Sequence, residues 1–134
     1  MVKWRVGVPV KSVRILTLKT QALIAEECHV AESFWTRFKG LMGRAHFDAG
    51  EGLLFPRCNN VHMWFMRMPI DLVFLRDAQS EDGRKCFEVT SFRARARPWS
   101  PLPFWDHRAQ HTLELPAGTL ERQKLKPGDL LCLS

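Results

Sequence analysis

The chain has 134 residues, 46% of them apolar, which is one domain's length with enough hydrophobic side chain for a core and excludes a disordered or collagen-like polymer. Twenty Lys and Arg against fourteen Asp and Glu leave a net charge of +6, so an anionic partner has to be considered. No apolar run approaches the roughly 18–20 residues that cross a bilayer, and the charged stretch from Met1 to Val10 lacks the continuous apolar region of a secretory signal. A cytoplasmic location is expected by default, and a periplasmic one only if a leader has been removed.

The first twenty residues carry five basic and no acidic side chains, and 1–21 reads as a basic, partly packed N-terminal extension to a single barrel-like domain over 22–134. Val13 to Leu18 alternates apolar with polar residues like an edge strand, and Ala22 to Ala31 also has strand character. Glu32-Ser33 offers an N-cap for one short helix over about 34–42, where Phe34, Phe38 and Leu41 form an apolar stripe. Leu53 to Phe55 is a short strand stopped by Pro56.

Val61 to Met68 is the densest apolar block. The two-residue period of a strand puts His62, Trp64 and Met66 on one face and Val61, Met63, Phe65 and Arg67 on the other, as in a strand buried on both sides. Pro69 breaks it before the strand Leu72 to Leu75. Asp82-Gly83 marks a hairpin turn leading to an alternating strand from Cys86 to Arg97, which Pro98 to Pro103 interrupts. Leu113 to Leu115 is a further strand. Lys126-Pro-Gly-Asp129 carries Pro and Gly at the central positions of a type II turn, ahead of the last strand, Leu130 to Leu133. These elements predict a mainly β, mostly antiparallel sheet curled into a single compact barrel-like domain, with one short helix.

Asp71 falls among apolar residues, and a buried carboxylate needs a partner. His62, Arg67 and Asp71 are therefore the candidate ligand-binding residues: the imidazole exchanges a proton, the guanidinium grips a carboxylate or phosphate, and Asp71 orients either. The competing structural reading has Asp71 capping the Pro69 turn and pairing with Arg67, with no ligand. Arg93, Arg95 and Arg97 share one strand face ahead of Trp99, Phe104 and Trp105, an arrangement that suits an anion contact or single-stranded nucleic acid. It equally suits a solvated edge protected from aggregation. Residues 84–108 contribute +4 and 1–25 contribute +5, whereas 26–83 are at −3, so the positive charge lies away from the His62, Arg67 and Asp71 group. Glu114 faces opposite to Leu113 and Leu115, toward either the His62, Arg67 and Asp71 group or solvent, and the solvent-facing reading is preferred.

Cys28, Cys58, Cys86 and Cys132 form no Cys-x-x-Cys pair and are read as small buried hydrophobes, with disulfides left open for an oxidising compartment. His107 and His111 are four apart but follow a proline-rich stretch, so they are read as loop histidines, and no metal or cofactor is expected. The leading functional expectation is a non-catalytic domain binding a small ligand or a protein or peptide. An enzyme using His62 and Asp71 is the alternative, and nucleic-acid binding through Arg93, Arg95 and Arg97 ranks third.

Several stretches, taken in order, resemble a known family. They are Gly40-Leu-Met-Gly-Arg44, Gly52-Leu-Leu-Phe55, His62-Met-Trp-Phe-Met-Arg-Met-Pro-Ile-Asp71 with Leu72 to Leu75, Leu113-Glu-Leu-Pro-Ala-Gly118 and Lys126-Pro-Gly-Asp129. The chain resembles the bacterial and archaeal domain of unknown function 192, with the central block as the specific part. The resemblance implies a compact, mainly β, barrel-like domain with no established activity, and it transfers no catalytic residue. Members of that family often carry a secretion signal, where this chain has basic residues instead, and Ser33-Phe-Trp35 departs from the polar helix start more usual there.

Overall fold

A computed structural model of the protein describes residues 11–31 and 46–134. The helix expected over 34–42 lies outside the described residues. Nine strands are present among those described: β1 (Lys11–Thr17), β2 (Leu23–Val30), β3 (Glu51–Phe55), β4 (Asn60–Val61), β5 (Ile70–Gln79), β6 (Lys85–Ala96), β7 (Phe104–Trp105), β8 (His111–Pro116) and β9 (Leu130–Leu133). Seven of them close a barrel in the order β1-β2-β3-β8-β5-β6-β9, with β9 paired back to β1, while β4 and β7 form a separate two-stranded ribbon. β2 and β3 run parallel and the other neighbours antiparallel, so the mainly β, mostly antiparallel expectation holds.

Closure removes sheet edges and leaves each strand an inner and an outer face. The inner core gathers Ile15, Cys28, Leu54, Val73, Leu113 and Leu131 among others. A second core lies on the outer face of β3, β5 and β8, where Leu53, Phe55, Ile70, Leu72 and Phe74 are covered by Val61, Met63, Met66, Ala96 and Ala109. Strands buried on both faces read as unbroken apolar runs, and that is why Leu53 to Phe55 and Leu72 to Leu75 lack alternation.

Four features differ from the expectations. β1 lies within 1–21, yet it is a full barrel strand, pairing with β2 on one side and β9 on the other. Residues 62–69 form turns rather than a strand: Met66 N–H donates to Met63 C=O (3.4 Å), and Phe65 takes a left-handed φ of 66°. Met63 and Met66 are buried, whereas the consecutive rings of Trp64 and Phe65 are 45% and 55% exposed, a spacing no strand produces. The described chain has one short helix, α1 (Thr119–Gln123), which the sequence does not announce. Its Leu120, together with Leu125, enters the inner core and plugs the barrel at the end where β8 finishes.

The fourth feature concerns the cysteines. Cys86 and Cys132 sit opposite each other in the β6–β9 register and are joined by a disulfide, while Cys28 and Cys58 are free. Burial pushes the Cys28 thiol up to about 12, so it behaves as the small hydrophobe expected. The Gly128 expectation holds, with its φ of 94° meeting the left-handed requirement of the turn before β9.

The disulfide closes a separation of 46 residues. Replacing both cysteines by alanine is expected to lower the unfolding free energy by roughly 2–4 kcal/mol. Equilibrium denaturation of the two forms measures this, and equal midpoints would show that the crosslink adds nothing.

Candidate functional site

The three residues proposed from sequence do not converge. Asp71, near the start of β5, is fully buried, and both its carboxylate oxygens are occupied by backbone donors. Oδ1 accepts from Arg95 N–H (2.9 Å), and Oδ2 from Gly118 N–H (3.1 Å) and Leu120 N–H (2.9 Å). Arg67 and His62 are exposed on the loop before β5, and the His62 ring lies 4.5 Å from that of Trp64. Asp71 therefore serves the fold. It satisfies the first turn of α1 in place of a local capping side chain, at a glycine whose φ of 96° disfavours any other residue.

The same carboxylate shapes the arginine strand. Between Leu72↔Arg93 and Ile70↔Ala96 the register shifts, with Ala94 and Arg95 together facing Asp71 alone. Such a bulge leaves an N–H without a ladder partner, and Arg95, at φ 51°, gives that N–H to Asp71. Consequently Arg93, Arg95 and Arg97 do not share a face by simple alternation; Arg93, Ala94 and Arg95 are exposed in succession. They line an open hollow of about 560 Å³ with Arg97, Trp99 and Phe104, and the Arg93 guanidinium sits 5.1 Å from the Phe104 ring centre.

A larger cavity, of about 720 Å³, opens at the other end of the barrel. Every barrel strand supplies part of its wall: Val13 from β1, Val30 from β2, Leu54 from β3, Asp77 from β5, Phe87 from β6, His111 from β8 and Leu133 from β9. Its floor is apolar and its rim carries Arg57, Asn59, Asp77, Lys85, Gln110 and His111. On this rim His111 is held at both nitrogens: Nδ1 accepts from Arg57 N–H (3.1 Å), and Nε2–H donates to Asp77 Oδ1 (2.8 Å). Arg57 reaches it from a left-handed φ of 56°, a conformation uncommon outside glycine. His107 does not join His111 in a metal site; its ring is 5.8 Å from Trp105, and no metal-holding cluster occurs among the described residues.

Two buried carboxylates titrate in opposite senses. Glu114, read as solvent-facing, is buried opposite Leu53 and Leu72 in the second core, and burial pushes its carboxyl up to about 8. Burial acts in the same upward sense on Asp106. There it is outweighed by donors from Ser91 Oγ (2.5 Å), Thr90 Oγ1 (2.7 Å) and the Arg108 N–H and Nε (2.9 and 3.2 Å), which hold the group well below the usual carboxylate range.

The sequence singled out neither the mouth nor Asp106. Asp77, Lys85 and His111 do, however, stand at strand ends beside recognisable turns, and antiparallel neighbours bring such ends together.

Comparison with known proteins follows the same lines. The model of the DUF192 family, described as uncharacterized ACR, matches residues 15–133. The chain belongs to this family. A UPF0127 protein of Thermococcus sibiricus is 30% identical over 106 residues, which cover 75% of this chain and 61% of that protein, so the chain spans less than two thirds of its curated relative. A Sinorhizobium meliloti 1021 crystal structure, of a protein proposed as a transcription regulator, superposes with a TM-score of 0.72 at 26% identity over 97% of this chain and 98% of that one. A protein of unknown function from Novosphingobium aromaticivorans DSM 12444 shares the fold, with a TM-score of 0.71 at 24% identity over 98% of this chain and 90% of that one. In DUF192 terms, the central His62-to-Asp71 motif is the covering loop of the second core and the anchor for the α1 plug.

Asp71→Ala leaves three N–H groups without their acceptor and is expected to cost about 3 kcal/mol or more in a denaturation experiment; a loss under ~1 would contradict the anchoring role. For Glu114, the folded chain keeps a proton that the unfolded chain releases. Its contribution is therefore full below the ordinary value of 4.5 and is lost as pH rises toward about 8. Glu114→Gln should flatten that decline and stabilise the protein by roughly a few kcal/mol at the alkaline end, read from unfolding midpoints across pH. Asp106 acts in the opposite sense, losing its contribution as pH falls below the carboxylate range.

Proposed function

We propose that this DUF192 domain is a non-catalytic small-ligand-binding barrel whose site is the open mouth. The observation that carries the reading is the asymmetry of the barrel: α1 plugs one end, and all seven strands wall a cup at the other. The cup's size falls in the range of small-molecule sites, which favour barrel mouths. Apolar Val30, Leu54, Phe87 and Leu133 at the floor favour a hydrophobic body, and Lys85 and Arg57 at the rim favour an anionic head. The ligand class is a small amphipathic carboxylate.

The enzyme alternative is weaker on geometric grounds. The lone pair on His111 Nδ1 already accepts from Arg57 N–H, and Nε2–H is given to Asp77, so neither ring nitrogen offers a base to the cup. No serine, threonine or cysteine is among the cup's lining residues. The nucleic-acid reading gains little from the description of the Sinorhizobium neighbour, because the helix described here, five residues long, is too short to read a groove. The Cys86–Cys132 disulfide favours an oxidising compartment over the cytoplasmic default.

A thermal-shift series of linear and aromatic carboxylates is expected to raise the melting temperature, with matched alkylamines giving no rise. Lys85→Ala should weaken the effect, and Asn59→Trp, which fills the rim, should abolish it while leaving the unliganded melting point nearly unchanged. Equal shifts in all three proteins would refute binding at the mouth.

A further inference from the structure

The surface at the plugged end is built differently from the mouth. The loop between β4 and β5 and the loop after β6 lie against each other: Trp99 N–H donates to Met63 C=O (2.7 Å), and the Phe65 and Trp99 rings meet edge to face at 4.9 Å. Both of these residues hold left-handed backbones, at φ 66° and 61°, and both present their rings outward, Phe65 at 55% and Trp99 at 59% exposure. Neither conformation is cheap for a bulky side chain, and such strain gathers where a surface has a task. Leu102, between Pro101 and Pro103, is the most exposed large apolar residue among those described, at 73%. Around these tips stand Arg93, Arg95 and Arg97, with Glu121 paired to Arg95 at 3.3 Å, while the carboxylates at this end, Glu26, Glu27, Asp48 and Glu51, line a separate hollow where β3 starts.

We propose that this end docks on an anionic phospholipid surface, with Phe65, Trp99 and Leu102 entering the interfacial layer and Arg93, Arg95 and Arg97 lying against the headgroup phosphates. Charge complementarity favours a negative partner. The choice of lipid over single-stranded nucleic acid rests on the apolar groups. Bases need separated ring faces to stack on, but Phe65 and Trp99 are packed against each other, and Leu102 offers a base no stacking face at all. An amphipathic interface, by contrast, takes up aliphatic and aromatic tips together and attracts each arginine electrostatically. The prolines at 98, 101 and 103 restrict the second loop, so little ordering is needed on docking. Because β5 begins and β6 ends here, the docked barrel keeps its mouth facing away from the surface. The inference stands independently of what the mouth binds.

Cosedimentation of the full chain with vesicles of equal parts phosphatidylglycerol and phosphatidylcholine tests it, with pure phosphatidylcholine vesicles and an oligothymidylate as comparisons. Binding to the anionic vesicles is expected, with a blue shift of tryptophan emission and a steep loss in salt. Leu102→Asp alters only an exposed side chain and should reduce vesicle affinity severalfold. The combined Arg93→Gln, Arg95→Gln and Arg97→Gln protein should lose roughly tenfold or more. Equal binding to neutral and anionic vesicles, indifference to both sets of substitutions, or oligothymidylate binding without vesicle binding would each overturn the proposal.

Discussion

A single buried carboxylate organises this barrel. Asp71 spends both oxygens on three backbone N–H groups drawn from two other elements, the β6 bulge and the first turn of α1. A carboxyl group with no solvent contact is tolerated when donors converge on it, and backbone donors achieve this without bringing a charged side chain into the core. The bond to Arg95 stabilises the extra residue in β6 and so determines how the arginines are displayed. The bonds to Gly118 and Leu120 secure the helix that fills one end of the barrel. Both the closed end and the basic surface thus depend on one side chain at the start of β5.

The two ends consequently do different things with similar residue types. At the mouth, polar groups at strand ends surround an apolar floor and are already tied together, as the Asp77–His111–Arg57 chain shows. That arrangement gives a rigid rim suited to recognition. At the plugged end, the Phe65 and Trp99 rings stand on turns outside the barrel wall, beside the Arg93 and Arg95 side chains on the bulged end of β6. Between them lie two apolar cores separated by the thickness of one sheet, and burial against the outer core pushes the Glu114 carboxyl up to about 8.

Much of the architecture was legible from local chemistry. Period-two alternation marks β1 and β6, an apolar segment marks β2, and Pro-Gly and Asp-Gly dipeptides mark the turns before β9 and β6, because these signals act over a few residues. The block from Val61 to Met68 was misleading, since an apolar run buried by a loop looks like a strand buried on both faces. The difference lies in Met63 and Met66, three apart, being the inward pair. The burial of Asp71 could be read from its neighbours, but its partners could not. They are main-chain groups 24, 47 and 49 positions away, and a backbone N–H leaves no mark in a sequence. The mouth was hidden for a related reason: its residues come from every strand, and only topology brings them together.

The seam between β1 and β9 has a bearing on how the molecule is made. It joins the earliest and the latest of the described strands, and Ile15 pairs with Leu133 across it. A growing chain can pair β6 and β8 on either side of β5, but it cannot close the ring until β9 has left the ribosome. Until then β1 and β6 each present an unpaired edge, so the four residues of β9 act as a late bolt, and the interval before they arrive is when the protein is most open to association with its own copies.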